Sequence, residues 1–357
     1  MNKVDRDNNF AILHIAAAIM VMCGHEFLLL GVDQKFILGI EYHTLGVYIL
    51  FFISGYLSSG SYLRNEGKIR FIAKRLIRMY PSLMVCLFIT TIIMSVVTVD
   101  KDGYLHSAFE YIVANGLMRT EYHLSGVFLS NPYPEIVNGS FWTLPIELFC
   151  YVLLIPVIDF MLFIKSKLRD WYLLVAMILF MCFYILEFFY MANYPESKLV
   201  IWGSDMLIGE KHIMIFLLGA ILKTIELDKK IYNLQFACIL ILFYTYLNES
   251  VQAFVRPFVV GYAVLSFALA KAPLFSKVIK RDVCYGLYLW AFPIQQLVIL
   301  CFISANVRPS LHTCLTISII ITWLCAELQY RFIEGNVFLQ KKLSLLIDKE
   351  YCLWRKN

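Results

Sequence analysis

The feature that most constrains this chain is a series of apolar runs, each long enough to cross a lipid bilayer, that recurs along the whole sequence. A membrane-crossing helix needs about 20 predominantly apolar residues. Hydrophobic residues make up 60% of the 357-residue chain and charged residues only 16%, which is more apolar surface than a soluble domain can bury. Because lipid does not tolerate unpaired backbone groups, we expect every run to be helical. The sequence therefore predicts an all-α, polytopic membrane protein with about ten transmembrane helices in one bundle.

The ten predicted spans follow one another without room for an appended soluble domain, so residues 1–357 are predicted to form a single transmembrane domain. The spans cover residues 10–30, 44–63, 81–98, 142–164, 171–191, 211–225, 232–248, 251–270, 283–304 and 312–332. Nine of the ten cysteines lie in or beside these spans. That distribution is typical of core packing and predicts neither a disulfide framework nor a metal site.

Basic residues predict the orientation of the bundle. With the amino terminus inside, the predicted cytoplasmic segments hold 24 of the 31 Lys and Arg residues. Positive charge accumulates on the cytoplasmic side of membrane proteins, so both termini are predicted to be cytoplasmic. The net charge of +5 is then a consequence of topology and indicates no nucleic-acid partner.

One predicted outside connection, residues 99–141, is longer than the topology requires. Residues 104–118 place apolar side chains at helix-like spacing, and a proline-rich stretch follows at residues 131–134. This pattern predicts a short interfacial helix and then a turn that re-enters the membrane at residues 138–142.

Ionisable side chains inside the spans are the candidates for chemistry, because such groups are costly in a bilayer and are usually functional. His25 and Glu147 are each predicted to lie about five residues, or roughly 8 Å, below the outer face. Glu187 and Arg256 fall in the same predicted layer, which suggests a pocket open to the outside. A carboxylate beside His25 would fix its tautomer and support a role as general base. Alternatively, each group is satisfied separately by a backbone carbonyl or by snorkelling, which we favour for Glu187 and Arg256.

Two further features lie towards the predicted inner face. His14 precedes His25 by eleven residues, so both rings share one side of a helix about 16 Å apart. Arg75 and Arg78 are three residues apart and could clamp phosphates on one helical face. On spacing alone, we favour a packed interface histidine for His14. A basic inner loop commonly serves only orientation or anionic-lipid contact.

Five stretches, in this order, resemble the acyltransferase-3 family of bacterial membrane O-acyltransferases. They are the histidine-bearing first span and residues 51–56, 74–81, 138–147 and 285–293. The resemblance covers about residues 8–335, and residues 336–357 are predicted to form a cytoplasmic tail. It implies ten core helices in the bacterial cytoplasmic (inner) membrane, in the stand-alone form without an esterase-like domain.

The resemblance implies transfer of an acyl group, commonly acetyl from acetyl-CoA, to a sugar hydroxyl of a cell-surface glycan such as O-antigen, capsule or exopolysaccharide. His25 occupies the position of the family's essential histidine, and Glu147 that of the glutamate in its Trp-x-x-x-x-Glu pattern. Arg75 and Arg78 fill the Arg-x-x-Arg motif. The family usually has arginine eleven residues before the histidine, where this chain has His14.

The resemblance thus assigns His25 and Glu147 to catalysis and His14, with the arginine pair, to acyl-CoA binding. Trp142 and Glu26 are assigned to the acceptor pocket. The expected partners are acyl-CoA, a lipid-linked or surface glycan and membrane lipids, with no permanently bound cofactor.

As a hypothesis, the donor thioester would thread past His14 towards His25, and His25, oriented by Glu147, would deprotonate the acceptor hydroxyl. Direct transfer and a transient acyl-histidine both fit the sequence. The alternative is a glycan-lipid flippase or small-molecule transporter that uses the intramembrane charges as a relay. A third option, the other large family of membrane O-acyltransferases, does not suit the motif order.

Overall fold

The chain folds into helices that follow the predicted spans, except that the third helix begins at Lys68 rather than at residue 81. Most of the basic stretch predicted as an inner loop is therefore the first part of that helix. A computed structural model describes residues 8–64, 67–168, 171–194, 199–201, 204–225, 231–270 and 281–336. Its helices are α1 (Phe10–Leu29), α2 (Tyr42–Tyr62), α3 (Lys68–Val97), α4 (Lys101–Gly116), α5 (Thr143–Lys167), α6 (Tyr172–Asn193), α7 (Met206–Thr224), α8 (Leu234–Thr245), α9 (Glu249–Ala268), α10 (Cys284–Ser304) and α11 (Leu311–Gln329). A π-helical turn, Tyr330–Glu334, continues α11.

The all-helical membrane fold is confirmed. Within the described ranges, eight helices are long and apolar enough to cross a membrane, namely α1, α2, α3, α5, α6, α9, α10 and α11 with its π-helical turn. The sixth and seventh predicted spans correspond to α7 and to α8, which has only 12 residues. The predicted cytoplasmic tail falls almost entirely on residues 337–357, outside the described residues.

Close helix approach at small residues brings the centre of the bundle together. Helix α2 packs against α1, α5 and α7. A Cβ atom added at Gly55 of α2 would lie 2.0 Å from the Phe216 carbonyl oxygen of α7, and one at Gly219 would lie 2.3 Å from the Phe52 carbonyl oxygen. Only glycine lets the two backbones approach so closely.

The segment between α3 and α5 forms the predicted short helix, α4, and then folds onto the bundle. Asn138 Nδ2 donates to the Leu289 carbonyl of α10 at 2.9 Å. That carbonyl lies four residues before Pro293, which has no N–H to satisfy it within the helix. Asn138 therefore replaces a missing helical hydrogen bond, and α5 begins inside the bundle, close to α10.

A two-stranded hairpin connects α1 to α2. Its strands are β1 (Phe36–Ile37) and β2 (Ile40–Glu41), with Leu38 and Gly39 both at positive φ in the turn. A second hairpin, β3 (Val200–Ile201) and β4 (Ser204–Asp205), precedes α7. We call the end of the bundle that carries the β1–β2 hairpin the hairpin end, and the opposite end the arginine end, because Arg75 and Arg78 lie towards it.

Arg256 is satisfied by backbone carbonyls, one of the two alternatives given above, and Glu187 is buried rather than directed to solvent. Arg256 Nε donates to the Leu38 carbonyl at 3.1 Å, so its charge is used to hold the β1–β2 turn. Glu187 is buried, and its Oε1 has no hydrogen-bond partner. Neither side chain joins a common pocket with His25 in the described part of the chain.

Candidate functional site

A cavity of about 110 Å³ lies between α1, α2, α3, α5 and α10. Its polar lining comes from helices that are distant in sequence but adjacent in the bundle, and six of these polar residues are His14, Ser54, Arg75, Arg78, Glu147 and Tyr151. Four of these six are residues that the sequence singled out. The fold thus brings His14, both arginines and Glu147 into one chamber.

The two arginines present their guanidinium groups to this cavity. The Arg75 guanidinium lies over the rings of Phe71 and Tyr151, at 5.3 and 5.4 Å from their centroids. These cation–π contacts hold the group without using its N–H donors. Among the residues that the structure describes, neither Arg75 nor Arg78 donates a hydrogen bond. Their donors are therefore available to an anionic ligand such as a phosphate.

His14 lies at the arginine end of the cavity, where it contacts an acidic side chain. Its Nδ1 lies 2.7 Å from Oδ2 of Asp282, which directly precedes α10. Burial alone would raise the pKa of Asp282, but the hydrogen bond with His14 and the positive charges of His14 and Arg78 outweigh it and lower the pKa. The carboxylate is thus held in its charged form beside the ring.

Glu147 lies in the middle of the cavity wall, where it accepts hydrogen bonds from two hydroxyl groups. Ser54 Oγ donates to it at 3.2 Å, and Tyr151 Oη donates through a short contact. Tyr151 also lies beneath Arg75. A carboxylate, a phenol and a guanidinium are thus lined up along the wall.

The prediction that Glu147 shares a layer with His25 is wrong. Glu147 is bonded to Ser54 of α2, whereas His25 packs against His43 of the same helix, eleven residues away. Eleven residues correspond to about 16 Å along a helix. The error arises because α5 begins inside the bundle rather than at its surface. No hydrogen bond joins His25 to Glu147 in the described structure.

His25 lies just beyond the hairpin-end limit of the cavity. Its ring is 8% exposed and packs against His43, with centroids 5.6 Å apart, and edge-on against Phe292, at 5.2 Å. One helical turn towards the arginine end, Val47 of α2 and Tyr288 of α10 line the cavity. His25 is therefore one turn past the chamber that holds the arginines, in contact with the rings of His43 and Phe292.

His43 is a member of this site that sequence analysis missed. Its Nε2 lies 3.1 Å from Glu41 Oε2, and both side chains are partly exposed, at 24% and 37%. The predicted second span begins one residue later, so His43 was counted as part of an outer loop. A histidine two residues after a glutamate, directly before an apolar run, is the signal that could have identified it.

The two predicted acceptor residues occupy different surroundings. Glu26 is fully buried, and its Oε2 accepts from Gln295 Nε2 at 2.5 Å. This contact faces α10 and does not reach the cavity. Trp142 is half-buried and packs edge-on against His212, which also contacts Phe51 of the cavity wall. Only Trp142 is thus close to the chamber.

Comparison with known proteins gives a consistent picture. Residues 9–327 match the family described as an acyltransferase domain. The chain is 24% identical over 359 residues to an O-acetyl transferase of Shigella phage Sf6, covering 96% of this chain and 99% of that protein. It is 30% identical over 162 residues to nodulation protein 10 of Rhizobium leguminosarum bv. viciae, covering 41% and 43% of the two chains. No solved structure matches the chain.

Proposed function

The chain belongs to the acyltransferase-3 family and is an O-acyltransferase; on this premise, we propose that it moves an acetyl group from cytoplasmic acetyl-CoA to a sugar hydroxyl of a surface or lipid-linked glycan. The single observation that carries the proposal is the cavity, which begins at His14, Arg75 and Arg78 and ends one turn short of His25. The relative from Shigella phage Sf6, an O-acetyl transferase, supports acetyl as the acyl group.

The donor enters at the arginine end in this proposal. The CoA phosphates bind the free N–H donors of Arg75 and Arg78, which suit bidentate contacts with phosphate oxygens. The pantetheine arm then follows the cavity past His14 towards His25, which is about 16 Å further along α1. The bias of basic residues supports a cytoplasmic location for this end of the bundle in the proposal, on the side where acyl-CoA is made.

The acceptor enters at the hairpin end and meets His25 from the opposite side. The hydroxyl proton passes to a nitrogen of His25 while the hydroxyl oxygen attacks the thioester carbonyl carbon. A carbon–oxygen bond forms, the carbon–sulfur bond breaks, and the CoA thiolate takes the proton back from His25. Ester and CoA thiol are the products, and His25 returns to its neutral form.

Glu147 acts in the donor chamber in this proposal rather than on His25. Its carboxylate fixes the hydroxyl of Tyr151, and the Tyr151 ring supports the Arg75 guanidinium. Glu147 is thus a positioning residue for the arginine that binds the donor. Trp142 remains our proposed acceptor-side residue, as the resemblance implies.

The proposal is tested with membranes that contain the protein, radiolabelled acetyl-CoA and extracted glycan lipid. We expect label to enter the glycan lipid with the wild type and not with His25→Ala, since loss of a general base costs on the order of 100- to 10,000-fold. The control is His106→Ala, in the exposed α4 pair of His106 with Glu110. Label transfer that persists in His25→Ala would rule out His25 as the base. Label that stays entirely on soluble CoA with the wild type would favour a transporter.

A further inference from the structure

His25 and His43 have neighbouring rings, and each ring carries one buried nitrogen that has no hydrogen-bond partner in the described structure. The Nδ1 atoms of both side chains are inaccessible to solvent, and neither makes a hydrogen bond within the described structure. Their ring centroids are 5.6 Å apart, with an angle of 31° between the ring planes. Buried polar atoms are rarely left unpaired, because the lost hydrogen bonds to water are not replaced. Two such atoms on adjacent rings indicate a contact that is made in another state of the site.

The protonation of His43 follows from its acidic neighbour. Nε2 of His43 faces Glu41 Oε2 at 3.1 Å, so in a neutral ring this nitrogen carries the hydrogen and donates it to the carboxylate. The other nitrogen, Nδ1, is then an acceptor. It can pair with Nδ1 of His25 only if that atom carries a hydrogen. This leaves Nε2 of His25 as the nitrogen with a free lone pair.

The backbone is built to keep the two histidines close. A Cβ atom added at Gly24 would lie 2.4 Å from the His43 backbone nitrogen and 2.9 Å from its Nδ1. Helix α1 therefore needs glycine at this position for His43 to reach it. The absence of a side chain beside His25 is thus a requirement of the histidine pair.

The β1–β2 hairpin holds Glu41 in place. Tyr244 Oη and Arg256 Nε both donate to the Leu38 carbonyl, at 2.7 and 3.1 Å. Glu41 ends the second strand of this hairpin and is paired in register with Phe36. Helices α8 and α9 thereby fix the carboxylate that orients His43.

We infer that Glu41 and His43 form a relay that sets the tautomer of His25, with Glu41 accepting from His43 Nε2 and His43 Nδ1 accepting from His25 Nδ1. The inference rests on the proposed function, in which His25 is the base. The His25–His43 hydrogen bond forms when substrate orders the site, as catalytic hydrogen bonds commonly shorten on substrate binding. When Nε2 of His25 takes the acceptor proton, the positive charge that develops is stabilised through His43 by the Glu41 carboxylate. His43 is therefore a positioning residue.

The inference is tested with steady-state kinetics on the purified full-length protein in detergent, using acetyl-CoA and a sugar acceptor. His43→Phe keeps a ring of similar size but removes both nitrogens. We expect kcat to fall about tenfold to a hundredfold, by analogy with the loss of residues that orient metal-ligating histidines in other proteins. The KM for acetyl-CoA should stay unchanged. His43→Gln, whose amide can both accept and donate, should retain more activity than His43→Phe.

Glu41→Gln provides the second arm of the test. Its amide can either donate to His43 Nε2 or accept from it, so it no longer fixes which His43 nitrogen carries the hydrogen. In the fraction of molecules where the hydrogen is on Nδ1, His25 loses its acceptor. We expect kcat to fall while binding of CoA, measured by calorimetry, stays at the wild-type value. His106→Phe and Glu110→Gln, in the exposed pair on α4, are the matched controls and should leave kcat unchanged.

The outcomes separate this inference from the proposed function. An inactive His25→Ala together with wild-type kcat in His43→Phe and Glu41→Gln would overturn the relay and leave the base intact. An active His25→Ala would overturn both. A His43→Phe protein that binds no CoA has lost its fold, and the comparison of His43→Gln with Glu41→Gln then decides: equal, wild-type kcat values would reject the relay.

Discussion

His14 and Asp282 join the first transmembrane helix to the start of α10 through a contact of 2.7 Å at the arginine end of the cavity. The family usually has arginine at the position of His14, and arginine would keep this carboxylate while adding donors for phosphate. We therefore expect His14→Arg to lower the KM for acetyl-CoA with little change in kcat. Initial-rate measurements over a range of donor concentrations check this, and a higher KM would contradict a donor role for this position.

The lowered pKa of Asp282 has a consequence for stability. A carboxyl with a lowered pKa in the folded state stabilises the protein at pH values above its ordinary pKa of 3.8, and this contribution is lost as the pH falls through the lowered value. Wild-type protein should therefore melt at a higher temperature than Asp282→Asn at neutral pH. The difference should shrink below about pH 4. A difference that persists unchanged at acid pH would contradict the assignment.

Arg75 and Arg78 are expected to bind the donor through planar, forked contacts that lysine cannot make. Replacing either residue by lysine should raise the KM for acetyl-CoA about tenfold, equivalent to about 1.4 kcal/mol, and leave kcat nearly unchanged. Arg308→Lys, at the other end of the bundle between α10 and α11, is the matched control. The idea fails if Arg308→Lys has the same effect on KM as the two cavity variants.

Glu147 should affect donor binding rather than proton transfer. Glu147→Gln weakens the contact with Tyr151, and Tyr151→Phe removes it while leaving an aromatic ring beneath Arg75. We expect each to raise the KM for acetyl-CoA. The loss of donor-binding free energy should be about 1–3 kcal/mol, the cost of breaking a buried hydrogen bond to a charged group. Combining them should add little, because both break the same bond. A fall in kcat at unchanged KM would instead return Glu147 to a direct role in the chemistry.

The close packing at Gly55 predicts a loss of stability when a larger side chain pushes α2 away from α7. Its added Cβ would lie 2.0 Å from the Phe216 carbonyl oxygen, so Gly55→Ala must move one helix. Overpacking of this kind costs about 1–3 kcal/mol, and we expect a lower melting temperature in detergent. In Gly116→Ala the nearest atom would be Met84 Sδ at 3.4 Å, an ordinary contact, so this variant should melt like the wild type.

Much of the fold and part of the site could be predicted from the sequence. Hydrophobic runs are a direct consequence of lipid surroundings, so the spans and the short helix α4 were found from composition and spacing alone. His14, Arg75, Arg78 and Glu147 do line one cavity. Their motifs identified them without revealing their mutual distances.

The remainder depended on tertiary contacts that no spacing reveals. The depth of Glu147 was misjudged because a helix that begins inside the bundle looks, in sequence, like one that begins at its surface. His43 was missed because its importance comes from its contact with His25 across two helices. Arg256 was expected to reach for water, but a hairpin 217 residues away in sequence supplies backbone carbonyls for its charge.

Pro293 has no backbone N–H group, and this determines the position of a loop that is distant in sequence. The carbonyl of Leu289, left without its usual donor inside α10, is met by Asn138 from 151 residues earlier in the chain. Supplying an N–H at position 293 would restore the helical donor, and the Leu289 carbonyl, which also accepts from Cys86 Sγ at 3.6 Å, would then be shared between that N–H and the Asn138 amide. A change that completes the helix would thus weaken the contact of α10 with the loop that leads into α5, the helix that carries Glu147 in the cavity wall.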